Sequence, residues 1–368
     1  MPGVIWHGMN ARVGMSAITR SQKVVLSLAL LSVIAAGVCS GSRFGAIAAF
    51  VTSAAALSLL AMVVGEATDQ LGTRMGPGAT GVLQSALGNL PELFVCIFSL
   101  RAGLVEVVKG ALVGSILANS LLVLGLAILL GGLKNGTQKF VSEAPRMMVV
   151  LITVSTAALI IPTLAQLLHT PAEQHEVALS SACAVVLIII LACSIPFFVK
   201  GNPALSPQAH DPSSSAWPVG FAIAVLAVAG VGAAFVSEWF VDALLPATKL
   251  LGMSEAFAGL VVAAIAGNAI ENVVGIQLAY RNKTDYALSV VLNSALQIAL
   301  GLVPILVFVS FFVGAAPLTL VFSPLLVAGL VLSAIVTAFI VFDGESIWLE
   351  GVALIGLYAI LVSAFWWG

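Results

Sequence analysis

Two short stretches decide the fold: GNLPEL at residues 88–93 and GNAIEN at residues 267–272. Each places a carboxylate, Glu92 or Glu271, inside a long apolar run, where an ionised side chain costs about 2.5–3.5 kcal/mol. The glycine permits an irregular backbone, Asn89 can act as an N-cap, and the proline is tolerated only near a helix start. The pattern predicts a broken membrane helix, whose exposed carbonyl groups must line a cavity or meet an ion.

The two stretches belong to an internal repeat. Aligning the chain with itself at an offset of 179 residues gives five identities within positions 85–97 and matches one serine further on. After a first span, each half contains five predicted helices, so the second half enters the membrane from the opposite side, as in many secondary transporters. The matched pairs are Gly88 with Gly267, Asn89 with Asn268, Glu92 with Glu271, Val95 with Val274, Ile97 with Ile276 and Ser115 with Ser294.

The composition is that of an integral membrane protein. Of 368 residues, 61% are hydrophobic and 8% are charged, against about a quarter charged in soluble domains. Apolar runs of about 20 residues predict an all-α protein and exclude a β-barrel. The eleven predicted spans are 23–40, 45–67, 78–100, 107–131, 146–168, 177–199, 217–241, 255–279, 285–313, 318–342 and 347–367.

These spans predict four parts of the chain: a tail and first helix (1–41), a first repeat (42–199), a linker rich in Pro and Ser (200–216) and an inverted second repeat (217–368). A cytoplasmic N-terminus puts ten of the fourteen Lys and Arg residues on the inner side. We therefore expect a protein of the bacterial inner membrane. The alternative for the first segment is a cleaved signal peptide.

Several functional classes are disfavoured. No basic cluster could neutralise the phosphates of a nucleic acid. No nucleophile–base pair or HExxH trio occurs in the spans, so we do not expect an enzyme. Acids near membrane ends, such as Asp69, are interpreted as interfacial residues, with proton relay or cation gathering as the alternative. A channel that uses the glutamates as a selectivity ring remains a rival.

Polar groups on the following helices add to the two glutamates. Ser115 and Asn119 are four residues apart and Ser294 and Gln297 three apart, so each pair lies on one helical face. Hydrogen bonding between helices is the alternative role. Oxygen ligands of this kind suit Ca²⁺. Burial and mutual repulsion raise the proton affinity of the two carboxylates, so protons can replace the cation there. Cation and protons then exclude each other from the site, which is the basis of antiport.

The residues resemble the cation/calcium exchanger superfamily, and most closely its calcium/proton (CAX-type) antiporter branch. The resemblance covers nearly everything after the first forty residues and implies an eleven-helix exchanger with two inverted five-helix repeats. It implies Ca²⁺ and protons as transported substrates without a cofactor. It also implies a cation site formed by Glu92, Glu271, Asn89, Asn268, Ser115, Asn119, Ser294 and Gln297. The stretches that carry it are GPGATGVLQSALGNLPELFV, GALVGSILANSLLVLG, GLVVAAIAGNAIENVVGIQLAYRNKTDYALSVVLNSALQIAL, PLTLVFSPL and FDGESIWLEG.

The chain departs from the pattern of that branch at two site positions. Asn272 stands where a His is usual, and Asn293 stands where a Gly is usual and adds an amide near the site. Asn119 and Gln297 occupy places where the sodium/calcium branch usually has an additional acid. The lower charge favours proton coupling, with a sodium-coupled exchanger as the alternative.

Overall fold

The first half of the protein is a series of long apolar helices. The computed structural model describes residues 18–41, 44–72, 87–140, 143–200 and 217–367. All backbone hydrogen bonds of such helices are internal, as a bilayer requires. The elements are α1 (Arg20–Gly41), α2 (Ala46–Gly72), α3 (Leu90–Arg101), α4 (Val105–Leu117), a π-helical turn (Ala118–Val123), α5 (Leu124–Asn135), β1 (Gln138–Lys139), α6 (Glu143–Leu167), a 3₁₀ turn (Pro171–His175) and α7 (Glu176–Lys200).

The second half is also a series of apolar helices. Its elements are α8 (Val219–Leu251), α9 (Glu255–Phe257), a π-helical turn (Ala258–Ala263), α10 (Ala264–Gly267), α11 (Ala269–Tyr280), α12 (Thr284–Gln297), a π-helical turn (Ile298–Leu302), α13 (Val303–Val313), α14 (Pro324–Phe342), β2 (Glu345–Ser346) and α15 (Trp348–Phe365).

The helices agree with the predicted spans. Within the described ranges, nine helices are long and apolar enough to cross a membrane, and a bent pair adds a tenth. That pair is Glu255–Gly267 and Ala269–Tyr280, which meet at 64°. The predicted span 78–100 begins outside the described residues, and only its end, α3, is seen. The all-α architecture and the approximate helix count are therefore confirmed.

The start of one predicted span is wrong. The span expected to begin at residue 318 begins at Pro324, and residues 317–323 form neither helix nor strand. The helix begins where Ser323 caps it, since the Ser323 hydroxyl accepts a hydrogen bond from the Leu326 N–H at 3.4 Å. N–H groups of the preceding segment donate to hydroxyls of neighbouring helices: Leu318 to Ser310, Leu320 to Ser180 and Phe322 to Thr163.

α8 is longer than predicted. Hydropathy suggested a span over residues 217–241, whereas the helix continues to Leu251. It ends where Gly252 adopts a left-handed conformation, with φ of +66°, the usual way for a helix to terminate.

α4 crosses the second half at unusually close range. A Cβ atom added at Gly110 would lie 2.6 Å from the Ala256 carbonyl oxygen, and one at Gly114 would lie 2.7 Å from the carbonyl carbon of Leu260. From the other side, a Cβ at Gly259 would lie 2.9 Å from the Ala111 nitrogen. We call Gly110, Gly114 and Gly259 the glycine seam. Small residues let membrane helices approach backbone to backbone in this way.

Candidate cation site

The first half contributes a glutamate at the start of a helix. α3 begins at Leu90, with Asn89 in the N-cap position and Glu92 in the first turn. Glu92 is only 1% exposed. Its side chain packs against Gly267, where an added Cβ would lie 3.1 Å from the Glu92 Cβ. The break in one half therefore faces the break in the other.

Asn268 sits at the break in the second half and joins the two halves. The helix stops at Gly267 and resumes at Ala269, while Asn268 adopts φ −104° and ψ 26°. Its fully buried amide donates to the Ala264 carbonyl oxygen at 2.9 Å and to Glu92 Oε2 at 3.4 Å. One side chain thus bonds to the helical turn that precedes the break and contacts the opposite carboxylate.

A buried hydrogen-bonded cluster surrounds Asn268. Ser115 Oγ donates to Glu92 Oε1 and accepts from Asn268 Nδ2 at 3.0 Å. Asn119 Nδ2 and Ser294 Oγ donate to Asn268 Oδ1 at 3.4 Å and 3.2 Å. Glu92 therefore has both oxygens engaged by neutral donors.

The second glutamate is placed differently. Glu271, in the first turn of α11, lines a cavity of about 90 Å³ together with Gly88, Asn293, Ser294 and Gln297. Thr68 and Asp69 of α2 also line it. The cavity wall therefore carries two acids, Asp69 and Glu271.

Three buried oxygens near the breaks accept no hydrogen bond from the described part of the chain. They are Oδ1 of Asn119, Oε2 of Glu271 and Oδ1 of Asn272. The ion pairs found among the described residues, Lys109–Glu106 and His169–Glu173, do not involve the site. Unsatisfied buried oxygens are costly, and carboxylate, amide and hydroxyl oxygens are the ligands of Ca²⁺. The site can thus accommodate a cation.

Seven of the eight predicted site residues lie together. Five of them, Glu92, Ser115, Asn119, Asn268 and Ser294, share the hydrogen-bonded cluster, and Glu271 and Gln297 line the cavity beside Ser294. Asn89 is buried, but its side chain makes no capping hydrogen bond and joins no bond of the cluster within the described residues.

Sequence reasoning missed part of the cavity wall. Thr68 has no motif that marks it, and Asp69 resembles an ordinary acid near a membrane end. Their sequence distance from both breaks gives no sign of the contact. Asn293 was visible as an extra amide before Ser294.

Comparison with known proteins gives a consistent result. The sequence model of the family described as sodium/calcium exchanger protein matches residues 45–200 and 221–367. A Ca²⁺/H⁺ antiporter of Aphanothece halophytica is 35% identical over 335 residues, which are 86% of this chain and 89% of that protein. The Ca²⁺/H⁺ antiporter ChaA of Bacillus subtilis is 33% identical over 316 residues, covering 83% of this chain and 88% of the relative.

A solved structure shows the same architecture. Native YfkE superposes with a TM-score of 0.79 and 29% identity, over 93% of this chain and 99% of that one.

Proposed function

Because this chain belongs to the sodium/calcium exchanger protein family, we propose that it is a secondary antiporter that exchanges Ca²⁺, or a similar divalent cation, for protons. Relatives that are 33–35% identical over most of both chains are named as Ca²⁺/H⁺ antiporters. Ca²⁺ and protons bind as transported substrates, and no resident cofactor is required. Glu92 and Glu271 are the groups that bind them alternately.

The observation that carries the proposal is that the Glu92 carboxylate accepts a hydrogen bond from Asn268, at the opposed helix break that precedes Glu271. Neither Glu92 nor Glu271 has a basic partner among the described residues. Within the same residues, Glu271 Oε2 and the amide oxygens of Asn119 and Asn272 are buried and accept no hydrogen bond. A site with this much uncompensated oxygen is stabilised by a cation or by protons.

The exchange follows from competition for the same oxygens. A cation that binds the carboxylates displaces protons, and protonation of the carboxylates removes the charge that holds the cation. The carboxylates are then neutralised either by a cation or by protons. When the site moves from one membrane face to the other, it carries one of these two substrates, and this couples the cation gradient to the proton gradient.

The two sides of the site support alternating access. On the Glu92 side, the glycine seam brings α4 into backbone contact with the opposite half. On the Glu271 side, a cavity reaches the carboxylate. In inverted repeats, exchange of the two arrangements exposes the site to the other face. This asymmetry is what a transporter requires and a continuous channel does not.

We also propose that the protein lies in the bacterial inner membrane with a cytoplasmic N-terminus and the four parts predicted from the sequence. The excess of Lys and Arg on one set of loops supports this orientation. An odd number of spans then puts the C-terminus on the outer face. A reporter that is active only outside the cytoplasm should therefore work when fused after Trp367 and fail when fused before Arg20.

Transport in proteoliposomes tests the function. An imposed pH gradient should drive Ca²⁺ uphill, which a channel cannot do. Glu92→Gln and Glu271→Gln should each abolish exchange, whereas Glu106→Gln, an exposed acid on the next helix that pairs with Lys109, should not.

Two outcomes would contradict these assignments. If both glutamine variants exchanged at the parent rate, the assignment of Glu92 and Glu271 to the cation site would be wrong. Calcium movement driven by a sodium gradient but not by a pH gradient would replace proton coupling with sodium coupling.

A further inference from the structure

One difference between equivalent positions of the two halves lies directly beside the cavity at Glu271. The offset that places Ser115 on Ser294 places Gly114 on Asn293. The repeat therefore has a residue without a side chain in one half and a carboxamide in the other. Their surroundings explain what each position accommodates.

Position 114 has no room for a side chain. It lies in the glycine seam, where an added Cβ would collide with three backbone atoms of Leu260. The neighbouring Ser115 points its hydroxyl to Glu92, and all residues from 111 to 120 are buried. On this side of the site, the backbones at Gly114 and Leu260 fill the space that a side-chain ligand for the cation would need.

Position 293 has room. Asn293 is partly exposed and lines the cavity of about 90 Å³ with Glu271 and Gln297. That volume equals about three waters at about 30 Å³ of liquid volume each, which is enough for an ion that keeps part of its hydration shell. Asn293 and Gln297 are four residues apart, so their side chains share one helical face. Neither amide forms a hydrogen bond with a described residue.

We propose that Asn293 is a specificity-determining residue of the cation site, and that its carboxamide oxygen coordinates Ca²⁺ together with Glu271. The inference rests on the proposed function, because it assigns a ligand to the transported ion. A neutral oxygen raises the number of ligands without adding charge.

The chemistry of divalent cations sets the direction of the effect. Ca²⁺ is coordinated by six to eight oxygens in flexible geometry, whereas Mn²⁺ is coordinated by six ligands in octahedral geometry. An extra amide therefore favours Ca²⁺ over Mn²⁺. Since the equivalent position in the first half is a glycine in close contact, the additional ligand comes from one half alone.

Three substitutions at this position separate the oxygen from the shape of the side chain. Asn293→Leu keeps the branched shape and removes the oxygen, Asn293→Gly removes both, and Asn293→Asp keeps an oxygen. Ser289→Ala is the matched control, because Ser289 lies one turn earlier on α12, is 5% exposed, and occupies the position equivalent to Gly110.

The measurements are the KM for Ca²⁺ and Mn²⁺ in proteoliposomes and the binding of radioactive Ca²⁺ to the purified proteins. Loss of the oxygen in the Leu and Gly variants should weaken Ca²⁺ binding at least about tenfold, as loss of a supporting group at a metal site does. Mn²⁺ should be affected less, so the preference for Ca²⁺ should fall. The Asn293→Asp variant should bind Ca²⁺ at least as well as the parent. The Ser289→Ala variant should bind Ca²⁺ with the affinity of the parent.

The inference is overturned if Asn293→Leu and Asn293→Gly keep the parent affinity and selectivity, or if they weaken both cations equally. If one variant does not fold, the other decides. A parent protein that binds Ca²⁺ but does not exchange it for protons would contradict the proposed function. The binding data would still decide the role of Asn293.

Discussion

The glycine seam gives the sharpest test of the structure. In Gly114→Ala, the new Cβ would lie 2.7 Å from the carbonyl carbon of Leu260 and closer still to two other backbone atoms. Neither helix can yield by rotating a side chain, because the contact is backbone to backbone. The two helices must therefore separate by about an ångström to restore ordinary van der Waals distances.

The magnitude follows from two opposing effects. Overpacking in a filled interior costs about 1–3 kcal/mol, while replacing Gly by Ala within a helix gains up to about 1 kcal/mol. The net loss in Gly114→Ala is thus up to about 3 kcal/mol. Gly356→Ala is the control, since among the described residues no atom outside its own stretch of helix lies within 4 Å of its added Cβ, and it should keep or slightly raise stability.

The assay is thermal unfolding of the purified variants in one detergent, followed by tryptophan fluorescence and size-exclusion profile. Gly114→Ala should unfold at a lower temperature than the parent and Gly356→Ala at the same or a higher one. Equal stability of the two variants would refute the close approach of α4 to Leu260 and, with it, the closed side of the site.

Three further predictions concern single polar groups. Ser115→Ala removes the donor to Glu92 and should raise the KM for Ca²⁺ by about 10–100-fold. Ser120 is buried on the same span, and its hydroxyl has no partner among the described residues, so Ser120→Ala should leave the KM within twofold; similar values for the two variants would contradict this. Thr163→Val leaves the Phe322 N–H without its acceptor and should lower the free energy of unfolding by about 1–3 kcal/mol, so an unchanged unfolding temperature would count against the contacts of residues 317–323. Asn272→Leu removes a buried oxygen that accepts no hydrogen bond within the described ranges and should weaken Ca²⁺ binding without lowering thermal stability; a less stable protein with normal affinity would indicate a structural role.

The sequence was informative where the physical constraint is local. A carboxylate in an apolar run and a Gly-Asn pair beside it indicate a broken helix, and the helix does break at Asn268. Spacing of three and four residues places Ser115 with Asn119 and Ser294 with Gln297 on single faces, and these residues do lie beside the breaks.

The sequence was uninformative where the partner is distant. Residues 318–323 are as apolar as a membrane helix, but their N–H groups bond to hydroxyl groups of other helices, including Ser180 and Thr163, instead of forming helical bonds. The sequence of this segment does not indicate those hydrogen-bond partners. The same holds for Asp69, because nothing near residue 69 indicates that α2 reaches the cavity at Glu271.

The π-helical turns at Ala118–Val123 and Ile298–Leu302 occur at the same place in the two halves, since the offset of 179 carries 118–123 onto 297–302. Their sequences, ANSLLV and QIALGL, share one identity in six positions. The two copies have thus kept an uncommon winding of the backbone while nearly all of the side chains that form it diverged. A common origin of two such halves is therefore easier to detect by comparing their backbone conformations than by aligning their sequences.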